Sequence, residues 1–212
     1  MDTNKLVEAL VADIRKPGPS LAGLWWTAAV FATLLAGVVF FITLGPRPDI
    51  AEAAETPRFL FKFAVTMALA TAAFGAARAL SRPGSDWRHT MVYLIAAPAM
   101  LLAAVAVELV LVPPTLWGTR LVGTNSLVCL TFIPLIGAGP LVVFLAVLRH
   151  GAPTCPRLAG AVAGLLAGGI AATFYAAQCI DDSPLFVVTW YPIAIGLLAG
   201  LGALAGERIL RW

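Results

Sequence analysis

The chain has 212 residues, of which 60% are hydrophobic and 12% charged, and its mean hydropathy is +0.92. Soluble domains carry about 25% charged residues, so this composition excludes a soluble protein and indicates an integral membrane protein. The net charge of +3 comes from basic residues scattered at the ends of apolar segments, which is not the pattern of a nucleic-acid-binding surface.

The first predicted element is a short amphipathic helix. Asp2 or Thr3 can cap it, and Pro17-Gly18-Pro19 must end it. Five apolar residues recur along it at helical spacing: Leu6, Val7, Leu10, Val11 and Ile14. Its acidic and basic residues balance, three against three, whereas membrane-surface helices are rich in Lys and Arg. The pattern therefore favours docking into a partner protein.

Six apolar segments follow, and each is close to the roughly 20 residues that cross a bilayer as a helix. They cover residues 21–44, 59–80, 90–112, 126–148, 158–178 and 185–206. Short loops join them, so we predict an all-α integral membrane protein with a six-helix transmembrane bundle at 19–212 and a cytoplasmic helix at 1–18. The first segment is too long for a signal peptide, whose apolar region has about 7–15 residues. We expect kinks at four internal prolines: Pro98, Pro134, Pro140 and Pro192.

The distribution of Lys and Arg predicts the orientation of the bundle. Ten of these residues lie on one side of the predicted membrane and four on the other. Both termini are therefore predicted to be cytoplasmic. The acidic loop residues then face outward: Asp49, Glu52, Glu55, Asp181 and Asp182.

Small residues recur every fourth position in the last two segments. Gly160, Gly164 and Gly168 share one helix face, and so do Gly196 and Gly200. Such spacing lets backbones approach closely. We expect segments 5 and 6 to pack tightly on each other or on neighbouring helices, with a contact between two copies of the chain as the alternative.

A thiol and two carboxylates lie together in the last loop, at Cys179, Asp181 and Asp182. Cys129 lies about three residues into the fourth segment, so both thiols fall within ~5 Å of the same membrane interface. Cys155 belongs to the opposite face and cannot join them. A thiolate beside carboxylates suits a soft or borderline divalent cation, or an oxidant-sensing thiol. Cys129, Cys179, Asp181 and Asp182 are therefore the candidate metal ligands.

The alternative for each cysteine is a small buried apolar side chain. That alternative is slightly favoured for Cys129 taken alone, whereas the neighbouring carboxylates favour a functional role for Cys179. Two further charges, Lys62 and Glu108, lie near the outer ends of their segments. We predict an ion pair between them, with snorkelling of both side chains to the interface as the alternative.

Motifs for catalysis are absent from the sequence. There is no GxSxG nucleophile turn, no phosphate-binding loop, no GxGxxG after a strand and no HExxH metal motif. We therefore predict no enzymatic activity, no small-molecule substrate and no resident cofactor, with a transient heavy-metal ion as the one ligand considered.

The ordered motifs of the chain resemble the NrsF family of bacterial membrane anti-sigma factors. The resemblance runs almost end to end and is carried by the following stretches: Lys5-Leu6-Val7-Glu8-Ala9-Leu10, Gly45-Pro46-Arg47-Pro48-Asp49, Pro57-Arg58-Phe59-Leu60-Phe61-Lys62, Ser81-Arg82-Pro83-Gly84, Cys129 with Ile133-Pro134-Leu135, Arg149-His150-Gly151-Ala152-Pro153-Thr154, Cys179-Ile180-Asp181-Asp182-Ser183-Pro184-Leu185-Phe186-Val187, and Trp190-Tyr191.

The resemblance implies a six-span protein of the bacterial inner membrane that sequesters an extracytoplasmic-function sigma factor through its cytoplasmic N-terminal segment. It also implies two outward-facing cysteines that take part in sensing heavy metals and related stress, and by position these match Cys129 and Cys179. Family members often carry His before the second cysteine, where this chain has Gln178. If that histidine is a metal ligand in other members, Gln178 would weaken metal binding here and favour a redox or structural role.

We therefore predict an anti-sigma factor whose apolar stripe holds the sigma factor and whose thiols trigger its release. The predicted partners are the sigma factor and the lipid membrane, without direct contact to nucleic acid. The main rival function is a small membrane transporter or metal exporter, which would need polar residues through the membrane centre. A membrane thiol oxidoreductase would need a reactive pair such as CxxC, which the chain lacks, and the least specific interpretation is a scaffold with inert cysteines.

Overall fold

The computed structural model of the chain describes residues 3–14 and 20–210. Six of its helices are long and apolar enough to cross a membrane. We number them spans 1 to 6: Leu21–Thr43, Pro57–Leu80, Trp87–Leu111, Ser126–Leu148, Pro156–Ala176 and Pro184–Ile209. The described residues contain no strand. The predicted all-α, six-span class is thus confirmed, as expected where lipid leaves backbone groups no partner outside a helix.

Local sequence sets where the spans begin. Spans 2, 5 and 6 begin at Pro57, Pro156 and Pro184. Proline is tolerated there because a backbone N–H in the first turn has no acceptor within the helix, so its absence costs nothing. Ser20 caps span 1 by accepting a hydrogen bond from the Gly23 N–H at 3.1 Å. Three short helices lie in the loops, at Ile50–Ala53, Pro114–Leu116 and Trp117–Val122.

A separate helix, Thr3–Ile14, precedes span 1. Val7 and Val11, from its predicted apolar stripe, are 53% and 46% exposed. The side chains of Leu6, Leu10 and Ile14 lie outside the described residues. The two described members of the stripe are therefore open to a partner.

Span 5 forms the centre of the bundle. In its membrane segment 67% of residues are buried, against 22% in span 1 and 17% in span 3. Span 5 packs on spans 2, 4 and 6, whereas span 1 packs mainly on span 4 and span 3 packs on spans 2 and 6. Spans 1 and 3 are therefore the most loosely held helices.

Spans 5 and 6 pack through glycines at backbone distance. A Cβ on Gly160 would lie 2.1 Å from the carbonyl oxygen of Gly202, and one on Gly164 would also overlap span 6. The predicted close approach is confirmed for these two glycines. It is wrong for Gly196 and Gly200, where an added Cβ would meet nothing within 4 Å, because they lie on the face of span 6 turned away from span 5.

Candidate functional site

Spans 5 and 6 are joined at the end of the bundle opposite the start of span 1, which we call the distal end. The connecting residues Cys179–Ser183, the 179–183 turn, form no helix. Their polar groups bond to the loop after span 1, to span 2, to span 3 and to the loop before span 4. Together with its covalent links to spans 5 and 6, the turn connects all six spans.

Asp181 attaches the turn to the start of span 4. Its Oδ2 accepts hydrogen bonds from the backbone N–H groups of Thr124 and Asn125 at 3.0 and 2.9 Å, and from both side chains at 3.2 Å. Gly123 makes this approach feasible: it has φ +59°, and a Cβ there would lie 2.9 Å from Cγ of Asp181 and 2.4 Å from the Phe186 ring. A side chain at position 123 would separate the turn from span 4.

Asp182 links the turn to spans 1 and 2. Its Oδ1 lies 2.5 Å from Nζ of Lys62, and its Oδ2 accepts a hydrogen bond from Nη1 of Arg47 at 3.0 Å. Lys62 is completely buried and also donates to the carbonyl oxygen of Cys179 at 2.8 Å. This carboxylate therefore neutralises two buried cations that the membrane would otherwise penalise.

Glu108 of span 3 has different partners from Lys62. Its Oε1 accepts hydrogen bonds from Nη1 of Arg120 at 2.6 Å and from Oγ of Ser183 at 3.0 Å, with Nη2 of Arg58 at 3.8 Å. The predicted direct pair between Lys62 and Glu108 is therefore wrong. The adjacent turn residues Asp182 and Ser183 bind one of them each, so the two charges belong to one network without touching.

A doubly hydrogen-bonded arginine follows span 1. Arg47 donates from Nε and Nη2 to both oxygens of Asp49, at 2.7 and 2.6 Å. Hydrogen bonding to Asp49 is the main influence on the pKa of Arg47 and raises it, while burial acts in the opposite direction. The same hydrogen bonds lower the pKa of Asp49. Both groups are thus charged at neutral pH.

The two predicted sensing thiols lie in one buried core at the distal end. Cys129 and Cys179 are 0% and 1% exposed, and neither forms a disulfide. The Asn125 carbonyl accepts from the Cys129 N–H at 2.8 Å and from the Tyr175 hydroxyl at 3.3 Å, while the Tyr175 carbonyl accepts from the Cys179 N–H at 3.0 Å. Cys155 is exposed and precedes span 5 at the other end of the bundle.

The predicted four-ligand metal set is not assembled. Among the described residues, no three His, Cys, Asp or Glu side chains are grouped to hold a metal ion. Asp181 and Asp182 instead bind backbone amides and cations, which leaves only Cys129 and Cys179 of the set. Burial raises the pKa of the Cys179 thiol, although the nearby Lys62 charge opposes this. Thiolate formation, which metal binding requires, is therefore disfavoured in this packing.

Sequence analysis missed Tyr175 and Tyr191, whose rings pack edge-to-face at 5.9 Å within the thiol core. The Tyr191 hydroxyl is buried and has no hydrogen-bond partner among the described residues. The spacing of four residues between Tyr175 and Cys179 could have placed both on one helix face. Arg47 was also missed, because its contact with Asp182, 135 residues away in the sequence, is not encoded in local spacing.

The chain is similar to known regulatory proteins along its whole length. The family model NrsF, negative regulator of sigma F, matches residues 10–212. The chain is 33% identical over 223 residues, covering all of both chains, to the anti-sigma-F factor NrsF of Caulobacter vibrioides (strain NA1000 / CB15N). It is 29% identical over 213 residues, again covering all of both, to the probable anti-sigma-F factor NrsF of Azospira oryzae. No solved structure matches it.

Proposed function

Because the chain belongs to the NrsF family of negative regulators of sigma F, we propose that it is an inner-membrane anti-sigma factor for an extracytoplasmic-function sigma factor. The helix Thr3–Ile14 binds the sigma factor, and a reaction at Cys129 and Cys179 with a heavy metal or an oxidant releases it. This role is regulatory, so the proposal includes no catalytic step and no resident cofactor.

The N-terminal helix supplies the docking surface. Val7 and Val11 are half exposed on a helix within the 1–18 segment, whose acidic and basic residues balance, a pattern suited to a groove in a partner protein. The excess of Lys and Arg, ten against four, favours a cytoplasmic location for this helix and for both termini. The sigma factor would then be held at the membrane, away from RNA polymerase.

The 179–183 turn is the observation that carries the sensing part of the proposal. Cys179 is part of the turn, and Cys129 lies one helical turn beyond the loop that Asp181 binds. Both thiols are buried, so a metal ion or an added oxygen cannot be accommodated without moving the turn. The turn is bonded to spans 2 and 3, to the loop after span 1 and to the loop before span 4, so that movement reaches the whole bundle.

Release of the sigma factor is then a shift between two states of the bundle. A ligand can drive such a shift only by binding one state more tightly than the other. A tenfold release needs about 1.4 kcal/mol of preference, and a complete switch from 1:99 to 99:1 needs about 5.5 kcal/mol. If Cys129 and Cys179 bind metal as thiolates only when the 179–183 turn is displaced, the metal favours the displaced state of the bundle over the resting state.

Capture of the sigma factor tests the docking proposal. Full-length chain purified in detergent should retain a sigma factor from the membranes and cytosol of its own bacterium, and a chain lacking residues 1–18 should not. Leu10→Asp should lose at least tenfold in retention, because it adds a charge to the apolar stripe. Ala12→Asp adds the same charge to the opposite face of the helix and should retain the sigma factor. Equal retention by both aspartate variants would contradict docking through this stripe.

The transporter alternative has less support. The buried charged residues among those described are Arg47, Lys62 and Glu108, and all three lie at the distal end. A transport path would need polar groups near the bilayer centre. Metal flux into liposomes that contain the purified chain would separate the two proposals.

A further inference from the structure

We propose that Arg47 is a positioning residue that couples the thiol turn to span 1, and through span 1 to the N-terminal docking helix. The coupling rests on the proposed function, because it concerns how a reaction at the thiols reaches the sigma factor. Arg47 belongs to the Gly45-Pro46-Arg47-Pro48-Asp49 stretch that follows span 1. This stretch is part of neither the docking helix nor the thiol core, so the proposed function gives it no role.

Arg47 binds the chain at two points, one on each side of Cys179. Its backbone N–H donates to the carbonyl oxygen of Ala177 at 3.0 Å, and its Nη1 donates to Oδ2 of Asp182 at 3.0 Å. These acceptors lie two residues before and three residues after the thiol. A displacement of Cys179 therefore moves both attachment points of Arg47.

The guanidinium group is fixed in direction before it reaches the turn. Asp49 binds its Nε and Nη2, a two-point contact that sets the plane of the group. Its Cζ lies 5.8 Å from the centre of the Phe59 ring, and the side chain is only 9% exposed. Pro46 and Pro48 restrict the backbone on both sides. The Arg47 side chain is thus held rigidly between Asp49 and Asp182, and we call this three-residue contact the clasp.

Span 1 is suited to carry a movement from this clasp to the other face of the membrane. It is one unbroken helix of 23 residues, or about 35 Å at 1.5 Å per residue. Only 22% of its membrane segment is buried. Its buried stripe consists mainly of small side chains, with an aromatic residue near each end: Trp25, Ala28, Ala32, Ala36 and Phe40. At mid-helix, Leu35 packs against Gly139 of span 4, where an added Cβ would lie 2.6 Å from Cδ2 of Leu35.

The other end of span 1 leads to the docking helix. Five residues, 15–19, separate Ile14 from Ser20 in the sequence. Trp25 fixes this end by donating from Nε1 to Oγ of Ser81 at 3.1 Å. Because span 1 is one unbroken helix, releasing its attachment at one end lets the whole helix tilt against span 4. The clasp therefore holds the resting, sigma-bound arrangement.

Arg47→Ala tests the coupling in the full-length chain. With the sigma factor recovered by capture as the probe, and without metal, this variant should retain it at least tenfold less well, equivalent to about 1.4 kcal/mol. Arg47→Lys keeps a cation for Asp182 and should recover most of the retention. Arg58→Ala removes an arginine from the same end of the bundle, but Arg58 is 48% exposed and 3.8 Å from Glu108, so retention should change less than twofold.

Maleimide labelling of the thiols in a Cys155→Ser background separates coupling from general damage. If Arg47 acts between the thiols and span 1, Cys129 and Cys179 in the Arg47→Ala chain should stay as protected as in the unsubstituted chain. Cd²⁺ should still protect them but cause no further loss of the sigma factor. Unchanged retention would overturn the coupling, and so would weaker retention with faster labelling, since Arg47 would then support the thiol core itself. Failure of the unsubstituted chain to retain any sigma factor would instead contradict the proposed function.

Discussion

Asp181→Ala should loosen the attachment of the 179–183 turn to span 4. The substitution leaves the backbone N–H groups of Thr124 and Asn125 without their carboxylate acceptor. A lost acceptor at a helix start costs about 0.5–2 kcal/mol, and a hydrogen bond to a charged group is worth about 1.5–3 kcal/mol. Thr124 is exposed and Asn125 half-buried, so water replaces part of the loss, and we expect a cost of about 2 kcal/mol.

Two measurements check this value on the detergent-purified chain. The melting temperature should fall by about 4–8 °C, at roughly 2–4 °C per kcal/mol for a chain of this size. Maleimide labelling of Cys129 and Cys179 should accelerate about 25-fold, because each 1.4 kcal/mol changes an opening equilibrium tenfold. Asp181→Asn keeps one acceptor oxygen and should lose about half as much.

Asp86→Ala is the matched control, since Asp86 is 67% exposed and lies at the other end of the bundle beside His89. Exposed positions of this kind usually change stability by less than about 0.5 kcal/mol. The reasoning is refuted if Asp181→Ala melts and labels like the unsubstituted chain. The four hydrogen bonds of Asp181 would then be exchanged for water without cost.

Two further substitutions test the thiol core. The Cys129→Ser/Cys179→Ser chain should retain the sigma factor as well as the unsubstituted chain but should not release it when Cd²⁺ or an oxidant is added; a normal release would end the sensing assignment. Tyr191→Phe removes a buried hydroxyl that has no hydrogen-bond partner within residues 3–14 and 20–210; burying such a group costs about 1–3 kcal/mol, so the melting temperature should rise by a few degrees. A lower melting temperature would show that this hydroxyl has a hydrogen-bond partner.

The spans were predictable from sequence because bilayer thickness sets their length. Each predicted segment overlaps an observed span, and the largest difference at a boundary is three residues. Spans 2, 5 and 6 begin one or two residues earlier than predicted, at Pro57, Pro156 and Pro184. The apolar pattern marks where lipid begins, whereas a proline in the first turn lets the helix start earlier, in the interface.

The composition of the site was predictable, but its connections were not. Depth along the helices correctly placed Cys129 and Cys179 in one region, since depth follows directly from residue count. Which cation meets which carboxylate depends on the rotation of each helix about its axis. Lys62 and Glu108 illustrate this: they have similar depth and opposite charge, yet each is bound to a different residue of the 179–183 turn.

The same connections limit what a reaction at the thiols can do to the bundle. Adding atoms to a close-packed core typically costs about 1–3 kcal/mol, and the thiols have almost no exposed surface. A charge-assisted hydrogen bond such as that between Arg47 and Asp182 is worth about 1.5–3 kcal/mol. One modified thiol therefore provides enough free energy to break one such connection, but too little to break those of Asp181, Asp182 and Ser183 together. The bundle should remain folded while one of its two loosely packed helices, span 1, is released where Arg47 attaches it to the turn.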